Sequence, residues 1–309
     1  YHYENIGTVI LGGDKDVIGN GVANTGLEGT IYTDDHSLKM VKLTYDGTIY
    51  GGTGTINLGG TGENDFLTLA NGSRVYAGGQ ISADGEFGGS TLTTYNLKVE
   101  AGNRARIYGG CDVQGTTTNV TSGNDINTWL DIDSGSTVSF YGGARLYGTN
   151  GSDYTGSVTL GGVTTTIGGG VFSGFAGNGS QGNNGSVTQG DSSLTITGGV
   201  FTNYVYAGAY SQGSISVVDG STELIISGGT FEKYVFGGCA ANTNKQARST
   251  KVTGSTSITI NATGNNTMTF NSHVVAGSQS CMEKDGAKQI LGDTTITFTG
   301  RHANNILSF

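Results

Sequence analysis

The chain of 309 residues contains no proline, only 13% charged residues and three cysteines. The absence of proline excludes a collagen-like chain and a proline-rich stalk. The low charge excludes a disordered chain expanded by charge repulsion, and 35% hydrophobic residues are enough for a narrow core. No apolar run reaches the roughly eighteen residues that a membrane-spanning helix needs, so no membrane insertion is predicted.

The charge balance also excludes a class of partner. The net charge is −9, and the 15 lysines and arginines are scattered along the sequence. Nucleic-acid binders need a basic stripe, so no nucleic acid is expected as a partner. The chain starts at Tyr1 without a signal-like apolar stretch, and it is therefore interpreted as a processed mature protein or an excised domain.

The three cysteines fit no metal or cofactor motif. Cys111, Cys239 and Cys281 lack zinc-ligand spacing, and no cofactor is predicted. Cys111 and Cys239 both follow a Gly-Gly pair, which indicates one ladder of small buried side chains four repeats apart. Cys239 and Cys281 fall on adjacent repeats, where a disulfide is an open alternative.

What the chain has in abundance is glycine and a repeated phrase. There are 57 glycines, more than twice the usual share of about 7%. Phrases such as VYAGGQI, IYGGCDV and VFGGCAA recur at intervals of roughly 30 residues, a spacing typical of repeat architectures. The aromatic residue of the phrase aligns at Tyr50, Tyr76, Tyr108, Tyr141, Phe175, Tyr206 and Phe236, with Val275 as a further member.

Each repeat contains three short strand-like runs separated by Gly, Asn, Asp or Ser. Leu194 and Ile196 alternate with Thr195 and Thr197, which is the period-two pattern of a strand. A propeller blade would need about forty residues and four strands. The pattern therefore predicts an all-β fold, a right-handed parallel β-helix (β-solenoid) with three short strands per coil and about 8–9 coils. At roughly 4.8 Å per coil the rod is about 40 Å long.

The domain organisation follows from the same period. Residues 1–40 are strand-like but break the repeat, and we interpret them as an irregular N-terminal coil or cap of the same domain. Residues 41–309 form the β-helix repeats, and no linker or change in composition marks a second domain.

Two consecutive repeats carry a resemblance to a known family. Residues 194–223 (LTITGGVFTNYVYAGAYSQGSISVVDGSTE) and 224–257 resemble the glycine-rich coils of bacterial autotransporter passengers and related surface-exposed, pectate-lyase-like β-helix proteins. The resemblance covers most of 41–300. It implies an extracellular bacterial protein that acts at the cell surface as an adhesin, a stalk or a matrix component. No twelve-strand membrane barrel follows the repeats, so self-secretion is not implied.

The enzyme alternative, a polysaccharide-binding or polysaccharide-degrading β-helix, needs clustered acid and base groups. Asp131 and Asp133 are the best acidic pair, and alternation places both carboxylates outside a strand whose Leu130 and Ile132 point inward. A solvated strand face explains the pair equally well. The phrase GGTGENDFL approaches a calcium-binding repeat but occurs once, which favours a corner turn. No catalytic residue and no metal site are predicted.

The aromatic members of the phrase are the candidate binding residues. If Val75, Ile107 and Val235 point into the core, alternation turns the following aromatic residue outward. An exposed stripe of this kind would bind host or matrix glycans, or another protein. The alternative, which we prefer, is a buried aromatic stack that stiffens the rod. The residues concerned are Tyr76, Tyr108, Tyr141, Tyr206 and Phe236.

Both ends of the sequence are apolar and strand-like. Solenoids need polar caps to stay soluble and monomeric, and neither end offers a charged loop or an amphipathic helix. A terminal strand that pairs with the next copy makes a heterologous contact that does not close, and such a contact yields filaments. The sequence therefore predicts head-to-tail self-association, with these residues as candidates for the contact: Tyr1, Tyr3, Ile306, Leu307 and Phe309.

Overall fold

The computed structural model describes residues 2–22, 25–115, 117–147, 156–182, 185–211, 215–241, 249–263, 266–279 and 292–300. These residues form 37 strands and no helix, and every strand pair is parallel. Accordingly, the described part of the chain holds no helix that could cross a membrane.

The largest sheet has 21 strands and consists of two ladders that share β11. Its first ladder contains β1 (His2–Ile10), β3 (Thr25–Tyr32), β5 (Leu43–Tyr50), β7 (Leu67–Leu69), β8 (Arg74–Tyr76), the end of β11 (Ser90–Val99), β12 (Ala105–Tyr108), β16 (Thr137–Tyr141), β20 (Val171–Phe172), β25 (Val200–Phe201), β30 (Gly229–Phe231) and β35 (Met268–Phe270). The second ladder contains β2 (Lys15–Ile18), β4 (Leu38–Val41), β6 (Thr55–Gly59), β11, β15 (Ile126–Ile132), β19 (Val163–Ile167), β24 (Ser192–Ile196), β29 (Thr222–Ile226), β34 (Thr256–Asn261) and β37 (Thr294–Thr299).

Four smaller parallel sheets complete each repeat. A six-stranded sheet contains β10 (Gly85–Glu86), β14 (Asn119–Thr121), β18 (Ser157–Leu160), β23 (Ser186–Gln189), β28 (Ile215–Val218) and β33 (Ser249–Val252). The facing sheet, as we call it, contains β9 (Gln80–Ile81), β13 (Asp112–Gln114), β17 (Arg145–Tyr147) and β22 (Gln181–Gly182). The remaining strands are β21 (Ala176–Gly177), β26 (Val205–Tyr206), β31 (Val235–Phe236), β36 (Val274–Val275), β27 (Tyr210–Ser211) and β32 (Ala240–Ala241).

This pairing pattern is that of a β-solenoid, in which each strand lies beside its counterpart in the next repeat. Tyr108 pairs with Tyr141, for example, although they are separated by a full repeat. The N-terminal strands continue both ladders with a shorter repeat, since His2 pairs with Thr25 and Gly26 with Thr44. The irregular period of the first forty residues therefore reflects shorter loops between strands that stack in the same way.

The main core lies between the two ladders and follows the predicted alternation. Leu194 and Ile196 are fully buried, as are Leu130 and, almost completely, Ile132. Phe201 stacks between Phe172 and Phe231 at ring-centroid distances of 4.8 and 4.9 Å. Identical residues thus lie above one another because parallel strands in register present the same position of each repeat to the next.

The recurring glycines allow adjacent repeats to approach closely. Gly110 donates its N–H to the carbonyl of Gly143 at 3.0 Å, and a Cβ atom on Gly110 would lie only 3.0 Å from the Gly143 carbonyl carbon. Gly208 and Gly238 make the same contact, with a Cβ-to-carbonyl-carbon distance of 2.9 Å. A side chain has no room at either position, which explains why the phrase carries a Gly pair.

Candidate functional site: the aromatic row and its surroundings

A continuous row of stacked aromatic rings runs through most of the described repeats. Neighbouring ring centroids are 4.6–5.5 Å apart and the planes are inclined by only 3–17°. This spacing follows from the distance between paired strands and suits offset stacking. The members of this aromatic row are Tyr32, Tyr50, Tyr76, Tyr108, Tyr141, Phe175, Tyr206 and Phe236.

The row is buried, which confirms the preferred interpretation of a buried aromatic stack and shows that the alternative, an exposed binding stripe, is wrong. Tyr76 and Tyr108 have no exposed surface, and Tyr141, Tyr206 and Phe236 are between 4% and 8% exposed. The alternation argument holds, because the preceding residues do lie in the main core. The alternation argument does not take the facing sheet into account. The strands of this sheet cover the side of the first ladder that points away from the main core.

The phenol hydroxyls are tied to the facing side of the solenoid by a regular set of hydrogen bonds. One bond, from Gln80 Nε2 to the Tyr50 hydroxyl at 3.1 Å, joins adjacent repeats. In the other five the partner belongs to a repeat two steps further along the chain. The bonds join Tyr32 to Gln80 (3.3 Å), Tyr50 to Asp112 (3.3 Å), Tyr76 to Arg145 (2.9 Å), Tyr108 to Gln181, and Tyr206 to Gln279 (2.6 Å).

A buried ion pair lies at the centre of this arrangement. The Arg145 Nη1 atom is 3.3 Å from Oδ1 of Asp112, whose side chain is fully buried, and it also donates to the Tyr76 hydroxyl. Asp112 Oδ2 accepts hydrogen bonds from Gln114 Nε2 at 2.6 Å and from the Tyr50 hydroxyl at 3.3 Å. Burial raises the pKa of the Asp112 carboxyl, and Arg145 and the two hydrogen bonds oppose this rise.

Burial also dominates the titration of the aromatic row. It raises the pKa of Tyr50 to about 12, with the Asp112 charge adding to the effect. Burial raises the pKa of Tyr76, Tyr108 and Tyr141 as well. The phenols of these four tyrosines are therefore neutral hydrogen-bonding groups over the physiological range.

One repeat departs from the expected alignment. In the backbone register Gly177 pairs with Tyr206, so Phe175 lies two positions before the place that the sequence phrase predicts. Its ring nevertheless stacks between Tyr141, at 4.6 Å, and Tyr206, at 5.5 Å. Gly177 has a φ of +148° and leaves no side chain there, which lets the Phe175 ring fill the row from the neighbouring position.

The exposed aromatic residues lie beside the row. Tyr204 and Tyr234 each precede a row member by two positions and are 37% and 39% exposed. Their rings meet edge to face at 6.0 Å, and Tyr234 meets His273 at 4.9 Å. We name Tyr204, Tyr234 and His273 the outer aromatic patch.

The sequence analysis missed both the outer aromatic patch and the polar partners of the row. A signal for each is visible in retrospect. Tyr stands two positions before the row residue in NYVYAG and KYVFGG. A polar residue stands four positions after Tyr76, Tyr108 and Tyr141, as Gln80, Asp112 and Arg145.

The candidates for self-association lie mostly outside the described residues, namely Tyr1, Ile306, Leu307 and Phe309. Tyr3 is described, and its hydroxyl donates to Glu100 Oε1 at 2.9 Å. This bond ties β1 to a repeat further along, so Tyr3 contacts its own chain.

The remaining sequence candidates are placed as follows. Asp131 and Asp133 lie partly exposed on the outer face of β15 and the following turn. The GGTGENDFL phrase forms a corner in which Asp65 donates its N–H to the Gly62 carbonyl at 2.9 Å and its carboxylate pairs with Lys42 at 3.0 Å. No group of three or more metal-binding side chains occurs among the residues that the structure describes.

The two cysteines among the described residues are small side chains of the core. Cys111 and Cys239 are fully buried at equivalent places of their repeats. Burial raises the pKa of the Cys111 thiol to about 12, with the neighbouring Asp112 charge adding to the effect. Cys281 lies outside the described residues, so its pairing with Cys239 stays a prediction.

Comparison of the chain with known proteins finds no match. No protein-family model matches the chain, and neither a curated protein nor a solved structure matches it significantly.

Proposed function

We propose that the protein is a non-catalytic structural rod of a bacterial cell surface that assembles head to tail with copies of itself in the extracellular space. The finer architecture of this proposal is a right-handed β-helix with three strands per coil and about 8–9 coils. Right-handed crossovers are the strong preference of parallel strand connections. The observation that carries the proposal is that, within the described residues, the second ladder ends in two strands that each have a single paired neighbour, one at each end of the stack.

The two edges match in direction, and each carries an exposed apolar side chain. Among the described residues β2 pairs only with β4, and β37 pairs only with β34. Both strands run parallel to their neighbours, so β37 of one copy set beside β2 of the next continues the same hydrogen-bond pattern. Ile18 on β2 is 64% exposed, and Ile296 and Phe298 on β37 are 38% and 57% exposed.

The register gives the edge residues their roles. Ile296 and Phe298 pair with Ile258 and Ile260, which are core residues, while Val17 pairs with the buried Met40. A neighbouring copy would extend the core across the junction and remove these apolar side chains from water. Exposed edge strands of this kind are the usual sites of strand addition.

The experiment uses variants that block one edge each. Ile18→Lys places a charge on β2, and Ile296→Lys places one on β37. The wild type is expected to form filaments by electron microscopy and by light scattering at high concentration, and each variant alone is expected to stay short. A mixture of the two variants retains one intact edge of each kind, so it is expected to stop at dimers.

The matched control is Trp129→Lys, which changes a 47% exposed side chain on the side of the rod, within β15. Filaments of this variant are expected to be normal in length. A wild-type protein that stays monomeric at high concentration would show that the head-to-tail proposal is wrong.

The outer aromatic patch favours a second function, adhesion to glycans. Aromatic faces stack on the apolar faces of sugar rings, and Asn203, Glu232 and Asn271 supply hydrogen-bonding groups beside the patch. A β-1,4-linked glucose hexasaccharide is the probe, measured by calorimetry. Tyr234→Ala is expected to weaken binding about fivefold or more, since losing an aromatic anchor costs over about 1 kcal/mol, and Trp129→Ala is expected to leave it unchanged. Binding unaffected by Tyr234→Ala would refute this function.

A further inference from the structure

Three arginines lie together on one face of a strongly acidic protein. Arg74 and Arg106 are paired directly across β8 and β12, and Arg104 precedes β12 by one residue. We name them the arginine cluster. Like charges directly opposite each other on neighbouring strands repel, so this arrangement costs stability unless something compensates for it.

No carboxylate of the described residues compensates for these charges. The ion pairs of that part of the chain join Lys42 to Asp65 and Arg145 to Asp112. The nearby Glu100 accepts hydrogen bonds from Tyr3 and, at 3.4 Å, from Asn103. The Nε atom of Arg74 is buried without a hydrogen-bond partner in the described structure. A buried donor left without a partner is rare in native proteins and indicates a missing acceptor.

Two members of the cluster, Arg104 and Arg106, line a groove of about 540 Å³, and the other lining residues are neutral. Arg74 lies next to this groove, directly across the strand pair from Arg106. The hydrogen-bonding side chains that line the groove with the two arginines are Asn71, Asn103, Thr137 and Ser173.

The three positive charges act on the same region of the molecule. Burial raises the pKa of Tyr108, and the charges of Arg106 and Arg74 oppose that rise. Burial likewise raises the pKa of Tyr141, and here Arg106 and Arg104 oppose it. Arg106 therefore acts on both of these adjacent rings, Arg74 on Tyr108 and Arg104 on Tyr141.

We propose that the arginine cluster is a binding site for a tetrahedral oxyanion, a sulfate or phosphate group that is either free or carried as an ester on a sugar. Guanidinium groups bind such anions through pairs of N–H donors with fixed geometry. A doubly charged group offsets the repulsion between Arg74 and Arg106, and it supplies acceptors to a groove that otherwise contains an excess of donors. This site is separate from the two edges and from the outer aromatic patch.

The test measures binding of sodium sulfate, sodium phosphate and a sulfated disaccharide to the full chain by calorimetry and thermal denaturation, with sodium chloride at equal ionic strength as the reference. The wild type is expected to gain thermal stability with the oxyanions beyond the chloride effect. Tighter binding of the disaccharide than of free sulfate, by tenfold or more, identifies the ester as the ligand, whereas equal affinity identifies the free anion.

Two variants separate binding from folding. Arg106→Gln is expected to weaken oxyanion binding at least tenfold and, without ligand, to raise the melting temperature, because it removes the repulsion with Arg74. A merely structural arginine would lower that temperature when removed. Lys39→Gln, a charge change on exposed β4 surface, is expected to change neither property. Equal stabilisation by chloride and sulfate, or equal sulfate affinity of wild type and Arg106→Gln, would overturn the proposal.

Discussion

The buried pair of Asp112 and Arg145 gives the sharpest test of how the facing sheet is held on the aromatic row. Asp112→Asn keeps the shape of the side chain but removes its charge, which leaves the Arg145 guanidinium with the Tyr76 hydroxyl and no counter-charge. Arg145→Met removes the guanidinium and leaves a fully buried carboxylate with Gln114 and Tyr50 as its donors. Each change isolates one half of the pair.

The expected size of the effect follows from the burial of both groups. The Asp112 side chain is fully buried and that of Arg145 is only 12% exposed, so water cannot replace the lost partner. Breaking a buried pair from one side costs about 3–5 kcal/mol, because the remaining charge stays desolvated. Replacing both members removes that penalty, and the double variant is expected to lie within about 1–2 kcal/mol of the wild type.

Urea unfolding at pH 7 gives the free energy of unfolding of the wild type, the two single variants and the double variant. The slope of each transition shows whether the cooperativity of unfolding has changed. Amide exchange in β13 and β17 reports the same loss locally if the transition is not two-state. Additive losses in the double variant, or single losses below about 1 kcal/mol, would refute the idea that the pair is an electrostatically coupled unit.

Three further predictions concern buried side chains. Phe201→Ala is expected to destabilise the fold by about 3–5 kcal/mol, because Phe201 is fully buried between two rings, and Phe201→Leu by less than about 2 kcal/mol; equal effects in urea unfolding would contradict this. The raised pKa of buried tyrosines such as Tyr76 means that above about pH 10 the native state keeps protons that the unfolded chain has lost. The unfolding free energy should therefore fall as pH rises, with phenolate absorbance appearing only on unfolding. Because its pKa is raised to about 12, the Cys111 thiol should resist a disulfide reagent at pH 8 until urea is added, and rapid labelling of the native protein would show that its turn is open.

Much of the fold can be predicted from the sequence because a solenoid shows the same sequence pattern in each repeat. The alternation that places Leu130 and Ile132 inside recurs in every repeat, and so does the Gly pair that lets Gly110 lie against Gly143. A period that appears several times is far easier to read than a single element. The first forty residues escaped the pattern because their loops are shorter, although β1 and β2 pair as the later strands do.

The burial of the aromatic row could not be read from one strand. Alternation states on which side of a strand Tyr108 lies, but it does not state whether a further sheet covers that side. The facing strands are two or three residues long, as in β9 and β13, and are too short to show a period of their own. Phe175 shows a related limit: the sequence alignment places it correctly in the row, but it does not show that its backbone lies two residues before the position that pairs with Tyr206.

The hydrogen bonds of the aromatic row change how the repeats depend on one another. In a simple solenoid each repeat contacts only its neighbours, so a single repeat opens at the cost of two interfaces. Here the hydroxyl of Tyr76 reaches Arg145 and that of Tyr206 reaches Gln279, each two repeats further along. Opening one repeat therefore also breaks bonds between the repeats on either side of it. Coupling beyond nearest neighbours makes the stack open in larger units, and a rod built in this way resists local bending as well as local unfolding.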